Sequence, residues 1–377
     1  MKLILFIVNS PEFFMSHRLS LAKSAVKEGL SVHIASNMAN SNTLLSSYGF
    51  TLHHIPFSRS GQNPFVELGT LYSLYKLLKE LKPSLVHAIT VKPVIYGGIA
   101  NRLSKDVPFV AAISGLGTVF TAKSIYERLR RSIVSNLYKA AFNCKSLKVI
   151  FQNPDDRDVM LSGGAIKAQD SCLIRGSGVD LDEYIASPEP NGGQVKIVMA
   201  SRLLIEKGVY EFYKAAEELE SRGLSVEMRL IGTPDSGNPK SLPEYEFDLW
   251  RRKSFIKVLG FRSDIAAQYA NSNIVCLPSY YGEGLPKSLI EAAACGRAII
   301  TTDSPGCNYA IENGVTGLLV PPKDHVALAD AIEELVVNEG KRKQMGEAGR
   351  AFAEKHFDIN VVVKQHLAIY EELLSYE

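Results

Sequence analysis

Two runs of alternating strand and helix patterns, parted by Ser187-Pro188-Glu189-Pro190-Asn191-Gly192-Gly193, constrain this chain more than any other feature. In the first run, short apolar segments at 2–8, 31–35, 84–88, 108–113 and 147–151 have the length and β-branched content of buried strands. Helical periodicity fills 16–28, 66–81, 94–104, 123–143 and 154–162. The second run places strands near 195–200, 225–231, 256–259, 273–277 and 297–301, with helices near 206–220, 264–270, 286–295, 325–338 and 341–354. Such alternation predicts parallel, doubly wound α/β sheets, because a parallel strand pair needs a crossover helix. The expected domains are 1–186 and 195–356, connected by 187–194 and followed by an amphipathic helix within 357–377 that carries Val361, Val362, Leu367, Ile369, Tyr370 and Leu373. A length of 377 residues is enough for two full cores. Ligands of such sheets bind beyond the carboxyl ends of the strands, so the loops there carry the chemistry.

Bulk properties narrow the class. The five cysteines, at 144, 172, 276, 295 and 307, include no Cys-x-x-Cys and fall partly in apolar runs, which predicts packed reduced thiols and a cytosolic setting. Lys2 and the apolar run Leu3–Val8 resemble a signal peptide only in outline, since the run is short and no small-residue cleavage site follows; a first buried strand is the better reading. No stretch approaches the roughly 20 apolar residues of a membrane-crossing helix. The net charge of +2 is unevenly spread: residues 1–185 hold 21 Lys/Arg against 13 Asp/Glu, and the remainder 21 against 27. Basic residues peak over 123–148, at Lys123, Arg128, Arg130, Arg131, Lys139, Lys145 and Lys148 against Glu127 alone. Ile125, Leu129, Ile133, Leu137 and Ala141 share helical spacing there. Two readings stand: a core helix with a solvated basic face, or a helix that meets anionic lipid headgroups or a lipid diphosphate. No nucleic-acid motif accompanies the basic residues, and a pI of 8.1 is modest, so nucleic acid is not expected as a partner.

The stretch Glu283-Gly284-Leu285-Pro286-Lys287-Ser288-Leu289-Ile290-Glu291 sets one carboxylate before a helix and another two turns into it. Pro286 suits the first helical position and Gly296 the stop. Backbone N–H groups at such a helix start attract phosphate, and flanking carboxylates can grip sugar hydroxyls. The alternative is an ordinary loop with two solvated glutamates. Upstream, Val195–Ala200 runs into Ser201-Arg202-Leu203-Leu204-Ile205-Glu206-Lys207-Gly208, which places Arg202 and Lys207 on the loop after a strand. The fork of an arginine and the point charge of a lysine together suit a diphosphate.

These segments resemble family 4 (group 1) retaining glycosyltransferases of the GT-B architecture. The matching pieces are Ser201-Arg202-Leu203 with Lys207-Gly208, Leu259-Gly260-Phe261-Arg262 with Asp264-Ile265, the Glu283–Glu291 block, and Gly314–Pro322, in order. Phe13-Phe14-Met15-Ser16-His17-Arg18-Leu19, Val86-His87 with Lys92-Pro93, and Ile113-Ser114-Gly115-Leu116-Gly117 resemble the bacterial capsule and lipopolysaccharide branch. The resemblance implies two Rossmann-like domains facing across a cleft, with the last helix packed on the N-terminal one. It implies that Arg202 and Lys207 neutralise a leaving diphosphate and that backbone from Gly284, Leu285 and Pro286 cradles phosphate and sugar. Glu283 would face the donor sugar and Glu291 the ribose, while Phe261 and Arg262 would lie near the base. No cofactor and no metal is implied. On the acceptor or sugar side the candidates are His17, His87, Ser114 and Gly115. Many relatives carry a histidine where this chain has Ser114. Gly115-Leu116-Gly117 also resembles the start of a dinucleotide fingerprint, but Phe120 stands where the third glycine belongs.

The expectation is therefore a transferase that moves a hexose or N-acetylhexosamine from a UDP-sugar to a polyprenyl-diphosphate-linked saccharide, working at the inner face of the bacterial cytoplasmic membrane. Rival readings are a soluble acceptor, a non-catalytic nucleotide-sugar-binding protein, and a nicotinamide-dependent oxidoreductase.

Overall fold

The computed structural model describes residues 1–38, 43–58, 63–117 and 125–375. Two compact units divide the chain: Met1–Ser177 with Ile359–Glu377, and Gly178–Asp358.

The first unit contains, in chain order, β1 Leu3–Ile7, α1 Pro11–His17, α2 Leu19–Lys27, β2 Ser31–Ser36, α3 Thr43–Ser47, β3 Thr51–His54, α4 Pro64–Leu81 and β4 Leu85–Ile89. It continues with α5 Val91–Ser104, β5 Phe109–Ile113, α6 Ile125–Phe142, β6 Leu147–Phe151, α7 Pro154–Ser162 and β7 Ser171–Leu173. All seven strands are parallel, in the order β3-β2-β1-β4-β5-β6-β7. The order reverses between β1 and β4, which opens a crevice at their carboxyl ends. Local chemistry starts the helices. Ser10 caps α1 by accepting the Phe13 N–H at 3.2 Å, with Pro11 at the first position; Asn153 caps α7 through the Asp156 N–H at 2.8 Å, with Pro154 next.

The second unit contains β8 Val195–Ala200, α8 Val209–Ser221, β9 Val226–Ile231, α9 Glu244–Trp250, β10 Lys257–Gly260, α10 Ile265–Ala270 and β11 Ile274–Leu277. Then follow α11 Lys287–Ala294, β12 Ala298–Thr302, β13 Gly317–Val320, α12 His325–Val337 and α13 Glu339–His356. Its six parallel strands run β10-β9-β8-β11-β12-β13, with the reversal between β8 and β11. The last helix, α14 Ile359–Ser375, belongs to the first unit, where Val362, Ile369, Tyr370 and Leu373 join the core with Phe6, Phe14 and Leu85.

Two features differ from the pattern-based expectation. Edge strands β3, β7 and β13 were not expected: they are only three or four residues long and partly exposed, so they carry no clear period. The division of the chain falls after Ser177, and not within 187–194. Ser187 accepts the fully buried Arg297 guanidinium through its carbonyl and hydroxyl oxygens, and Glu189 is buried against Arg342 at 2.9 Å. A Pro/Gly-rich stretch thus lies inside the second unit because two buried cations hold it there.

The five cysteines are unpaired. No helix among the described residues is long and apolar enough to cross a membrane.

A buried polar group helps to hold α14. His87 Nδ1 meets the Tyr370 hydroxyl at 2.6 Å, the His366 Nδ1–H donates to the Val362 carbonyl at 2.8 Å, and the buried Arg18 lies close to all three rings. Burial, with Arg18 nearby, holds His366 down at about 3; burial, then His366 and Arg18, hold His87 well below its ordinary value. The unfolded chain therefore binds these protons first. Stability from this group is complete above about pH 6.5 and falls as pH drops below it, by up to about 1.4 kcal/mol per pH unit per histidine. Asp156, raised to about 6 by burial, opposes this between about pH 6 and 4. The comparison is therefore wild type against His366→Gln. Urea unfolding followed by circular dichroism at pH 7.5, 6.5 and 5.5 should give a shallower loss for the variant.

Candidate functional site

In the second unit, the loops after β8 and β11 flank the strand-order reversal, and each brings its expected residues there. A single 3₁₀ turn, Ile205–Lys207, follows β8 and ends at Gly208 in the left-handed region, φ +80°. A Cβ at Gly208 would lie 2.1 Å from the Pro278 carbonyl oxygen, so only glycine lets this turn press onto the loop after β11. That approach delivers Lys207 Nζ to Glu283 Oε1, a direct ion pair between largely buried side chains. Ser279 Oγ donates to the same carboxylate oxygen at 2.9 Å. Gly306, at φ +86°, plays the corresponding part on the other side: a Cβ there would lie 2.3 Å from the Glu283 carbonyl oxygen. Ser279, Gly208 and Gly306 thus shape the loop around Glu283. Of these, Gly306 lies in Ser304-Pro305-Gly306, a turn signal that pattern reading could have found.

Arg202 is close by in sequence but held loosely. Its side chain is 60% exposed, and its only ion pair among the described residues is with Asp235 at 3.8 Å. Its guanidinium can therefore reorient toward an anion at small cost.

Pro286 ends the loop as the residue before α11, and no side chain caps that helix. Gly284 and Leu285 precede it. Two turns in, Glu291 is 7% exposed. Its Oε1 accepts the Tyr184 hydroxyl at 2.8 Å and pairs with Lys287 Nζ at 3.3 Å, while Oε2 makes no hydrogen bond to the described residues. Burial pushes the Glu291 carboxyl up despite Lys287 and Tyr184. Burial and Glu291 push the Tyr184 phenol up. Tyr184 was not singled out in the sequence, where nothing marks it beyond an aromatic ring after an acidic turn.

Phe261 and Arg262 follow the edge strand β10, two strands away from β8. Phe261 is 76% exposed, and Arg262 forms a bidentate pair with Asp264 at 2.8 and 2.6 Å.

The first unit corrects one candidate directly. His87 has no exposed surface and is bound to Tyr370, because it faces the helix layer from the middle of β4 and does not reach the strand end. It is a structural group and not a ligand contact. His17 stacks on Phe13 with ring centres 4.1 Å apart and bonds the Phe13 carbonyl at 3.2 Å. Ser114 and Gly115 follow β5 directly, in a turn where Gly115 and Gly117 take φ +106° and +61°. Phe120 and Lys123 lie outside the described residues. Along α6, Tyr138, Ala141 and Phe142 face the core, whereas Leu129, Ile133 and Leu137 are 60%, 54% and 37% exposed beside Arg128, Arg130 and Arg131. Most of the apolar stripe read from the sequence therefore points outward.

Among the described residues no group of three or more His, Cys, Asp or Glu side chains is placed to hold a metal. Two Asp-x-Asp triplets occur, Asp156-Arg157-Asp158 and Asp180-Leu181-Asp182. Asp156 is buried against Asn153 and the Leu116 N–H, and Asp180 Oδ1 accepts the Asp182 and Glu183 N–H groups.

A Gly208→Ala variant should lose about 2–4 kcal/mol, from the forbidden φ and the contact with Pro278. Gly223→Ala is the comparison, having φ +70° but open space around it, and should lose only about 1 kcal/mol. Urea unfolding read from Trp250, the single tryptophan, reports this unit.

The family model described as "Glycosyl transferases group 1" matches residues 180–352, and that described as "Glycosyl transferase 4-like" matches residues 3–153. The chain is 31% identical over 331 residues to the N,N'-diacetylbacillosaminyl-diphospho-undecaprenol alpha-1,3-N-acetylgalactosaminyltransferase of Campylobacter jejuni, covering 85% of each. It is 26% identical to the UDP-Gal:alpha-D-GlcNAc-diphosphoundecaprenol alpha-1,3-galactosyltransferase of Escherichia coli, covering 71% of this chain and 70% of that one. The crystal structure of Anabaena HepE in complex with UDP superposes with a TM-score of 0.77 at 19% identity, covering 99% of this chain and 100% of that one; the likeness is one of GT-B fold.

Proposed function

The chain belongs to the group 1 glycosyl transferases, and from that membership we propose that it moves a hexose or N-acetylhexosamine from a UDP-sugar to a polyprenyl-diphosphate-linked saccharide, with retention of anomeric configuration and without a metal. It is a glycosyltransferase acting on a nucleotide sugar. The observation that carries the finer reading is the Lys207–Glu283 pair at the carboxyl ends of β8 and β11. Transfer breaks the bond between the anomeric carbon and the diphosphate oxygen, leaving negative charge on the diphosphate and positive charge on the sugar. Lys207, with two ammonium hydrogens beyond the one given to Glu283, and Arg202, free to swing, would take the negative side. Glu283, oriented by Lys207 and Ser279, would support the sugar. Such fixed groups act where charge develops and need no reorganisation when it does. In front-face attack the departing phosphate oxygen accepts the acceptor proton, so the proton moves from hydroxyl to phosphate without a side-chain base. Glu291 Oε2 is the oxygen left to receive ribose hydroxyls. The lipid-linked acceptor is supported by the activities for which the Campylobacter and Escherichia relatives are named.

Glu283→Ala should lower turnover by about 10²–10³ with little change in UDP affinity, whereas Glu291→Ala should weaken UDP binding. Thermal unfolding with UDP, read beside transfer of labelled sugar, checks both. Near-normal turnover in Glu283→Ala would sink the role given to that carboxylate.

We place the enzyme at the inner face of the cytoplasmic membrane through α6. Its exposed Leu129, Ile133 and Leu137 beside Arg128, Arg130 and Arg131 suit an anionic bilayer surface. Changing the three arginines to glutamine should cut sedimentation with phosphatidylglycerol vesicles, and 0.5 M salt should do the same to wild type (about 1 kcal/mol per charge). Unchanged sedimentation would rule this surface out.

A further inference from the structure

Glu291 is held unevenly. Its Oε1 faces two donors, the Tyr184 hydroxyl at 2.8 Å and Lys287 Nζ at 3.3 Å, and Oε2 faces none among the described residues. An ionised carboxylate has about four lone-pair sites, two on each oxygen. The protein therefore fills one oxygen and leaves room on the other for two hydroxyls, the number that a ribose 2',3'-diol presents. The grip is assembled from distant parts of the second unit. Tyr184 closes a turn in which Asp180 Oδ1 accepts the Asp182 and Glu183 N–H groups and the Asp180 carbonyl accepts the Tyr184 N–H at 2.9 Å. Arg350 of α13 ties that turn to α11, because its Nη1 donates to the Tyr184 carbonyl at 2.9 Å and to the Ala294 carbonyl at 2.7 Å. One guanidinium nitrogen thus joins the residue with the phenol to the last residue of the helix with the carboxylate. A second phenol, Tyr269, is fully buried near Glu291, but its hydroxyl has no hydrogen-bond partner among the described residues.

The last torsion of a glutamate is broad and two-fold, so a carboxylate without a fixed donor presents either oxygen. Lys287 does not supply that constraint, being a mobile point charge on a side chain that is 30% exposed. The phenol does, because its ring is buried and its backbone is tied to α11. We propose that Tyr184 is a positioning residue that fixes Glu291 for a ribose diol, and that it thereby makes this chain select ribonucleoside diphosphates over their 2'-deoxy counterparts. The proposal rests on the reading in which Glu291 receives ribose hydroxyls. A deoxyribose leaves one open site of a largely buried carboxylate unfilled, and a site built to bond a hydroxyl rejects the analogue that lacks it. The donors so excluded are the dTDP-sugars. Ionisation matters to the same contact. Glu291 lies near Lys287 on its own helix, Tyr184 and Glu183 on the turn, Tyr269 on α10 and Cys295 at the helix end. Burial raises its proton affinity, and Lys287 and then the Tyr184 hydroxyl oppose this. Loss of the hydroxyl raises it further, so the carboxylate of such a variant takes up its proton at higher pH.

Isothermal titration calorimetry of the full chain with UDP and with 2'-deoxy-UDP tests this. Wild type should bind UDP about tenfold more tightly than 2'-deoxy-UDP, or better. Tyr184→Phe keeps the ring and should weaken UDP about three- to tenfold while 2'-deoxy-UDP changes by less than about twofold, so the ratio of the two falls toward one. As the pH is lowered to about 5.5, the ratio should fall at higher pH in the variant than in wild type. Protonation of the diphosphate itself is common to both nucleotides and cancels in the ratio. An equal loss for both nucleotides would show a phenol that only packs, and an unchanged ratio a phenol that plays no part. Either result overturns the proposal, as does a wild type that binds both nucleotides alike. Glu291→Ala separates the two possible failures. A ratio that survives in Glu291→Ala removes the ribose reading, and the proposal with it. A ratio that collapses in Glu291→Ala but not in Tyr184→Phe keeps that reading and removes the role of Tyr184 alone.

Discussion

Every strand of both sheets runs parallel to its neighbours, and that constraint decides where this protein can do chemistry. A parallel ladder forces each connection to cross over through a helix, so all carboxyl ends of the strands collect on one edge of each sheet. Where the strand order reverses, β1 against β4 and β8 against β11, successive crossovers diverge to opposite faces and leave an opening. The Lys207–Glu283 pair occupies one reversal, and the strained Thr90 lies at the other. The core supports both edges: β4, β5, β11 and β12 are buried along their whole length, so the loops start from fixed points.

Buried polar groups decide what stays attached to each unit. Arg297, fully buried, gives its guanidinium to three carbonyls and the Ser187 hydroxyl, and Arg342 is buried with Glu189. Replacing such a pair by apolar residues can cost little, but removing one partner strands a charge, so the arrangement specifies position more than it adds stability. In the first unit Arg18 is buried with no carboxylate partner among the described residues. Burial lowers it to about 10. The histidines beside it stay neutral for the same reason, and α14 is retained by a group of polar residues that depends on that neutrality.

The placement of the candidate residues in the second unit was largely legible in the sequence. Arg202, Lys207, Glu283 and Pro286 mark themselves through a strand followed by a turn residue, or a proline at a helix start, and the structure brings Lys207 and Glu283 together. The residues that make the pair possible were not all visible. Gly208 appeared only as part of a motif, and its contact with Pro278 joins positions 70 residues apart. Ser279 and Tyr184 look like any loop hydroxyl and any buried ring until their partners are known. In the first unit, His87 stood out in the sequence as a polar residue near a strand end. Thr90 did not, because its φ of +74° is a property of the folded backbone.

Local pattern by itself determined the two α/β runs, the long helices and the polarity of each loop, because these depend on period, capping residues and β-branched content over a few turns. Only the tertiary structure decided which edge strands complete each sheet, that residues 178–190 belong to the second unit, and that α14 returns to the first. It also decided that Leu129, Ile133 and Leu137 point outward while Tyr138 and Phe142 point in. The physical reason is the same in each case. A helix or an edge strand has an apolar face whatever its setting, and which neighbour covers that face depends on contacts between residues far apart in the chain, which no local pattern contains.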